Sequence, residues 1–281
     1  MATTYGQLRM EIAQLAPDKS LDTIDGFLRE RYTEILDRLN WSRLQAQSVL
    51  TSPASYATGT ISVTNGSNAI TGSATVWTAA MTGRVIRINA ESDYYGFTYV
   101  SPTSATLDRA YTGTTAAGLG YRVDQPLYSL PADVRILDSV RCTTSPRALE
   151  EMSAAEANEM WPSRNVYGTP QYYVRFMDAA TDPAVMQIEL LPVPETVLTF
   201  PIWYTYDAAP PTSSATNLLT WVRNGALKAG VLADLGVGDT TRWDRRFEEL
   251  VGRMQVNEYR RVGPQRLKQS VPEHRVKRWM R

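Results

Sequence analysis

Apolar residues recur at helical spacing near both ends of this chain and at alternating positions between them. Tyr5, Leu8, Ile12 and Leu15 fall at steps of three and four and predict a first helix, ended by Pro17. Ser20 or Asp22 can cap a second, which carries Ile24, Leu28, Tyr32, Ile35 and Leu39 on one stripe before Trp41. The opposite face holds Arg29, Glu30, Arg31, Glu34, Asp37 and Arg38. Mixed signs at that spacing fit a solvated face with weak ion pairs, and, as a sharper alternative, a surface between subunits. Toward the other end, residues 217–262 predict two amphipathic helices in tandem. Leu218, Val222, Ala226, Ala229 and Ala233 mark the first, and Trp243, Phe247, Leu250 and Met254 the second. Gly236 and Gly238, with Asp239 or Thr240 beside them, supply a stop and a restart.

Between these helical ends the period shortens to two. Residues 45–50 predict a strand, and then the composition changes abruptly. Residues 58–124 are about two-fifths Ser, Thr and Gly, contain no Lys, and show short β-type runs between turn signals. Ile61 and Val63 alternate before Asn65-Gly66, a pair suited to a type I′ hairpin turn. Val85, Ile86 and Ile88 form another run; Tyr95, Phe97 and Tyr99 line one face of a third; Ala105 to Leu107 make a fourth. This predicts an inserted all-β barrel or sandwich, with its aromatics in the core and a sugar-binding platform as the alternative. Beyond it, Ser153 with Glu156 reads as a capping box, and strands are expected at 171–177, 185–191 and 197–206. Pro192, Pro194 and Pro201 argue for edges or irregular pairing among those strands.

The expected fold class is therefore α+β: a helical core with a C-terminal helical hairpin and a small antiparallel sheet, plus the inserted β module. The expected domains are a discontinuous core at 1–57 and 125–263, the module at 58–124, and an extended basic arm at 264–281.

Charge and chemistry narrow the function classes. The 281 residues carry 29 basic and 29 acidic side chains. From Arg242 onward, however, twelve basic residues face five acidic ones, a local excess of +7. Such asymmetry favours an acidic partner surface, or nucleic acid, at that end. Cys142 and His274 each stand alone, so an internal disulfide, a His/Cys zinc site and a histidine-based nucleophilic triad all lack partners. No glycine-rich phosphate loop follows a strand, and no apolar run approaches a membrane span. The N-terminus lacks the apolar stretch of a signal peptide. No catalytic residue, cofactor site or metal site is expected, and the chain is not expected to be an enzyme.

Several stretches together resemble the head-to-tail adaptor proteins of tailed bacteriophages. They are Leu36-Asp37-Arg38-Leu39-Asn40-Trp41, Tyr128-Ser129-Leu130-Pro131-Ala132-Asp133-Val134-Arg135, Ile188-Glu189-Leu190-Leu191-Pro192-Val193-Pro194, and Trp203-Tyr204-Thr205-Tyr206. Gly59 to Gly66 and Leu107 to Gly113 look like a β module found in some of these adaptors. The resemblance implies a structural protein of the virion neck, assembled in the host bacterial cytoplasm. It implies a dodecameric ring beneath the portal that joins capsid to tail and continues the DNA channel. Implied partners are the chain's own copies, the portal protein, tail or nozzle proteins, and DNA by non-specific contact, with no membrane. Arg275, Val276, Lys277, Arg278, Trp279 and Met280 are the candidate portal-docking residues. The competing class is a carbohydrate- or receptor-binding tail protein that uses the β module.

Overall fold

The computed structural model describes residues 4–38, 41–89, 93–145, 147–178, 184–211, 218–219 and 221–262. The chain splits into two compact units, Met1–Gln45 with Thr205–Arg281, and Ala46–Tyr204. Its α-helices are α1 (Tyr5–Leu15), α2 (Leu21–Asp37), α3 (Ala154–Met160), α4 (Asn224–Asp234) and α5 (Thr240–Val262).

The first unit is built by α1, α2, α4 and α5. Thr4 accepts the amide of Gln7 while the Gln7 side chain reaches back to the Thr4 backbone, and Ser20 accepts the amide of Thr23 at the start of α2. Tyr5, Leu8 and Ile12 of α1, Ile24, Leu28 and Ile35 of α2, Ala226 and Val231 of α4, and Phe247 and Val251 of α5 bury into one core. The α4 helix starts at Asn224, later than its periodicity suggests: Leu218 and Val222 reach the same core from the segment before it. Gly236 and Gly238 both adopt positive φ, at 70° and 64°, and turn the chain between α4 and α5.

The second unit is almost entirely β. Its strands are β1 (Gln45–Thr51), β2 (Thr60–Val63), β3 (Ala69–Ser73), β4 (Arg84–Ile88), β5 (Tyr94–Ser101), β6 (Ser104–Leu107) and β7 (Ala116–Leu119). Then follow β8 (Tyr121–Asp124), β9 (Leu127–Ser129), β10 (Val134–Val140), β11 (Glu150–Glu151), β12 (Tyr172–Asp178), β13 (Val185–Leu191) and β14 (Thr199–Tyr206). Seven of them form one curled sheet in the order β7-β2-β3-β6-β5-β4-β8, and every pairing within it is antiparallel. Only Gly120 separates β7 from β8, so one continuous stretch supplies both edge strands and draws the sheet round on itself. Inside lie Ile61, Val63, Ile70, Ile86, Ile88, Phe97 and Val123, with Trp77 packed edge-on against Phe97 at 5.3 Å and Tyr121 at 5.8 Å. A four-stranded sheet, β11-β12-β13-β9, and a three-stranded one, β1-β14-β10, complete the unit.

These sheets overturn the expected fold class. Among the described residues the protein is a large β-rich body with five α-helices, not a helical core decorated by a small sheet. The strands between 127 and 206 are expected as a small antiparallel sheet in the same core domain as the helices. They form two sheets of their own instead, and all but the last two residues of β14 belong to the unit that holds the curled sheet. Two local expectations are corrected. Of an edge or irregular pairing at Pro201, the edge fails: Pro201 sits in β14, the middle strand of its sheet, where its carbonyl accepts the Arg141 amide at 3.0 Å. The Asn65-Gly66 turn is not type I′, because that turn needs positive φ at both residues and only Gly66 has it, at 79°. Asn65 instead donates its side-chain amide to the carbonyls of Thr112 and Gly113, which ties the β2–β3 connection to a distant loop.

Candidate functional site

The six predicted docking residues, Arg275 to Met280, and the whole arm at 264–281 lie outside the described residues. Two other features, one in each unit, stand out as candidates for function.

The first is the solvent face of α5. Phe247, Leu250, Val251 and Met254 occupy its buried side. Along an exposed edge of the helix, at steps of four, seven and seven residues, lie Arg242, Arg246, Arg253 and Arg260. Arg246 and Arg253 both contact Glu249, whereas Arg242, Arg245, Arg260 and Arg261 make no ion pair among the described residues. The other flank of the helix is held inside its own unit. Arg31 grips Asp234 with two N–H groups and also meets Glu34, while Arg38 bridges Glu34 and Glu248. Both guanidinium groups lie over the Phe247 ring, at 4.8 and 5.1 Å. The hydrogen bond from Arg38 is the main reason that the Glu248 carboxyl titrates below the usual glutamate range. The mixed-charge face of α2 is thus an intramolecular clamp at Arg31, Glu34 and Arg38.

The second feature is a cavity of about 470 Å³ in the β body, between residues of β4, β8, β12 and β13 and the segment around α3. Two ion pairs build its polar wall. Arg164, held at φ 50°, donates Nε to Glu189 at 2.9 Å and its other nitrogens to the carbonyls of Ala157 and Trp161 and to Asn158. Those two carbonyls belong to the last turn of α3, so Arg164 also caps that helix. Arg122 donates Nε to Asp124 Oδ1 at 2.9 Å, reaches Glu195 and Ser55, and stacks 3.7 Å from the Tyr167 ring centroid. Arg87 donates to the Arg164 carbonyl and lies over Tyr94. Tyr167 is held above the usual phenol range, first by burial and then by the charge of Asp124. Sequence patterns missed this cavity, because its residues lie on strands and loops up to a hundred positions apart. The one available signal was the density of Arg and Asp or Glu in otherwise apolar strands.

Among the described residues no three His, Cys, Asp or Glu side chains converge as a metal site, and no helix is long and apolar enough to cross a membrane. Cys142 is buried, with its sulfur 3.0 Å from the Thr144 hydroxyl. Neither a protein-family model nor a curated protein matches this chain.

Proposed function

We propose that this chain is a structural neck protein of a tailed bacteriophage, a head-to-tail adaptor that forms a ring under the portal and continues the DNA channel. The observation that carries the reading is the arginine row of α5. It is a rigid, surface-borne line of positive charge on a helical unit that joins both ends of the chain. Such a row fits an acidic protein surface or the phosphates of DNA, both of which a neck ring meets. The resemblance carried by Tyr128 to Arg135 and Ile188 to Pro194 agrees with it, and the basic arm behind α5 extends the same charge. The competing reading, an exposed aromatic platform on the β module, is weakened by burial. Trp77, Tyr95, Phe97, Tyr111 and Tyr121 are all core residues of the curled sheet.

Negative-stain imaging of the purified protein, alone and mixed with portal rings, tests the proposal. Rings and co-sedimentation with the portal are expected. A chain that stays monomeric at high concentration and ignores the portal overturns the reading. The docking residues are tested in the same assay: Trp279→Ala should weaken portal attachment more than Lys277→Ala, whose deficit should shrink in high salt.

A further inference from the structure

The cavity of the β body goes beyond the adaptor reading, and its chemistry is specific. The charges that line it are already engaged: Arg164 pairs with Glu189, Asp124 pairs with Arg122 behind the wall, Arg87 donates to the Arg164 carbonyl, and Asp178 accepts from Gln187. A charged ligand would have to break one of these partly or wholly buried pairs, which is costly. What the wall leaves over is neutral in character and of both polarities. Asp124 is 2% exposed and is held by Arg122 and Ser55, with the Tyr167 phenol beside it, so its carboxylate is closed off from a ligand. Gln187 donates its amide nitrogen to Ser129 and Asp178, which leaves its side-chain carbonyl as an acceptor. Asn158 accepts from Arg164 through Oδ1, which leaves its amide nitrogen as a donor. A donor and an acceptor thus line one space, beside an apolar wall to which Tyr94, Phe176 and Met177 contribute.

A hydroxyl is the group that donates and accepts at one atom, and a pyranose ring sets several of them around an apolar C–H face. We propose that this cavity is a binding site for a neutral sugar ring. Its hydroxyls donate to the Gln187 carbonyl and accept from the Asn158 amide, and its C–H face rests on Tyr94 and Phe176. The volume of about 470 Å³ lies within the usual range for small-ligand sites and leaves room for more than one ring. This moves saccharide recognition away from the buried aromatics of the curled sheet to its junction with the four-stranded one, where Tyr94 of β5 is exposed.

Saturation-transfer NMR on the intact chain tests the proposal, with the methyl glycosides of glucose, galactose and mannose, and N-acetylglucosamine, as probes. Benzylamine and inorganic phosphate serve as charged controls. At least one glycoside should bind in the millimolar range or tighter, and neither control should displace it. Gln187→Met, which removes the side-chain acceptor, should weaken that binding at least tenfold. Because this change also breaks the bonds to Ser129 and Asp178, Tyr94→Ala at the exposed wall provides the second arm, with about a fivefold loss and an unchanged melting temperature. Absence of transfer to every glycoside with the folded chain overturns the proposal. So does binding that neither variant alters, or displacement by benzylamine or phosphate. Ring formation and portal attachment are measured separately, so failure here leaves the adaptor reading standing, and the reverse.

Discussion

Arg164 shows how much structure one side chain can hold. Four hydrogen bonds leave its guanidinium, to Glu189, to two carbonyls of α3 and to Asn158, while its own carbonyl receives Arg87. Replacing it strands the buried Glu189 carboxylate and uncaps α3. Arg164→Met should therefore cost about 3–5 kcal/mol in chemical denaturation, and the double change with Glu189→Met should recover part of that. Full additivity of the two would show that the pair is not coupled. Tyr5 offers a pH test in the helical unit. Its hydroxyl donates to Asp25 at 2.9 Å, and burial, followed by that bond, raises its titration to about 12. A raised value favours the protonated phenol, so its contribution is complete below the ordinary value of ~10 and is lost as pH rises through about 12. Tyr5→Phe should be less stable at neutral pH by about 1 kcal/mol and should show a flatter alkaline decline in thermal melts.

At the scale of elements, turns and caps decide where strands and helices stop. Gly59 has φ 85°, and a Cβ placed there would lie 2.4 Å from the Ser73 carbonyl oxygen, on the strand partner of Thr60. Gly59→Ala therefore meets both a disfavoured backbone conformation and a backbone clash, and should lower stability by about 2 kcal/mol or more. A melting temperature within a degree of the parent would refute that account. Elements with local causes were readable from the sequence: α1 and α2 from their spacing and caps, α3 from the Ser153 capping box, and α5 from its apolar stripe. The grouping of strands was not. Whether β12, β13 and β14 rest on helices or build sheets of their own depends on long-range partners such as Leu127 opposite Glu189, more than sixty residues apart. Alternation along one strand carries no record of such a partner. The cavity escaped for the same reason, since Asp124 and Gln187 meet only once the sheets are assembled.

At the scale of the molecule, the clamp on α5 links the stability of the helical unit to acidity. The Glu248 carboxyl is depressed chiefly by its hydrogen bond with Arg38, so its contribution is complete above the ordinary glutamate value of ~4.3 and disappears as pH falls through the depressed one. Glu248→Gln should flatten the loss of helical signal between about pH 5 and 3, measured by circular dichroism; an unchanged acid limb would remove Glu248 from that account. Residues 58–124 provide a second test. Tyr56 and Val123 exchange backbone hydrogen bonds of 3.0 and 2.8 Å, so the chain enters and leaves the curled sheet at neighbouring points. A Gly-Ser linker replacing 58–124 should keep the helical signal and a cooperative melt, and complete loss of both would show that the remainder cannot fold without the module.

That paired entry and exit also has a mechanical meaning. Tension drawn along the backbone arrives at Tyr56 and departs after Val123, and the two hydrogen bonds between them lie across the shortest route for it. The curled sheet hangs from that route as a side loop. Under load from either side, force passing through the chain would bypass the sheet until those two bonds yield.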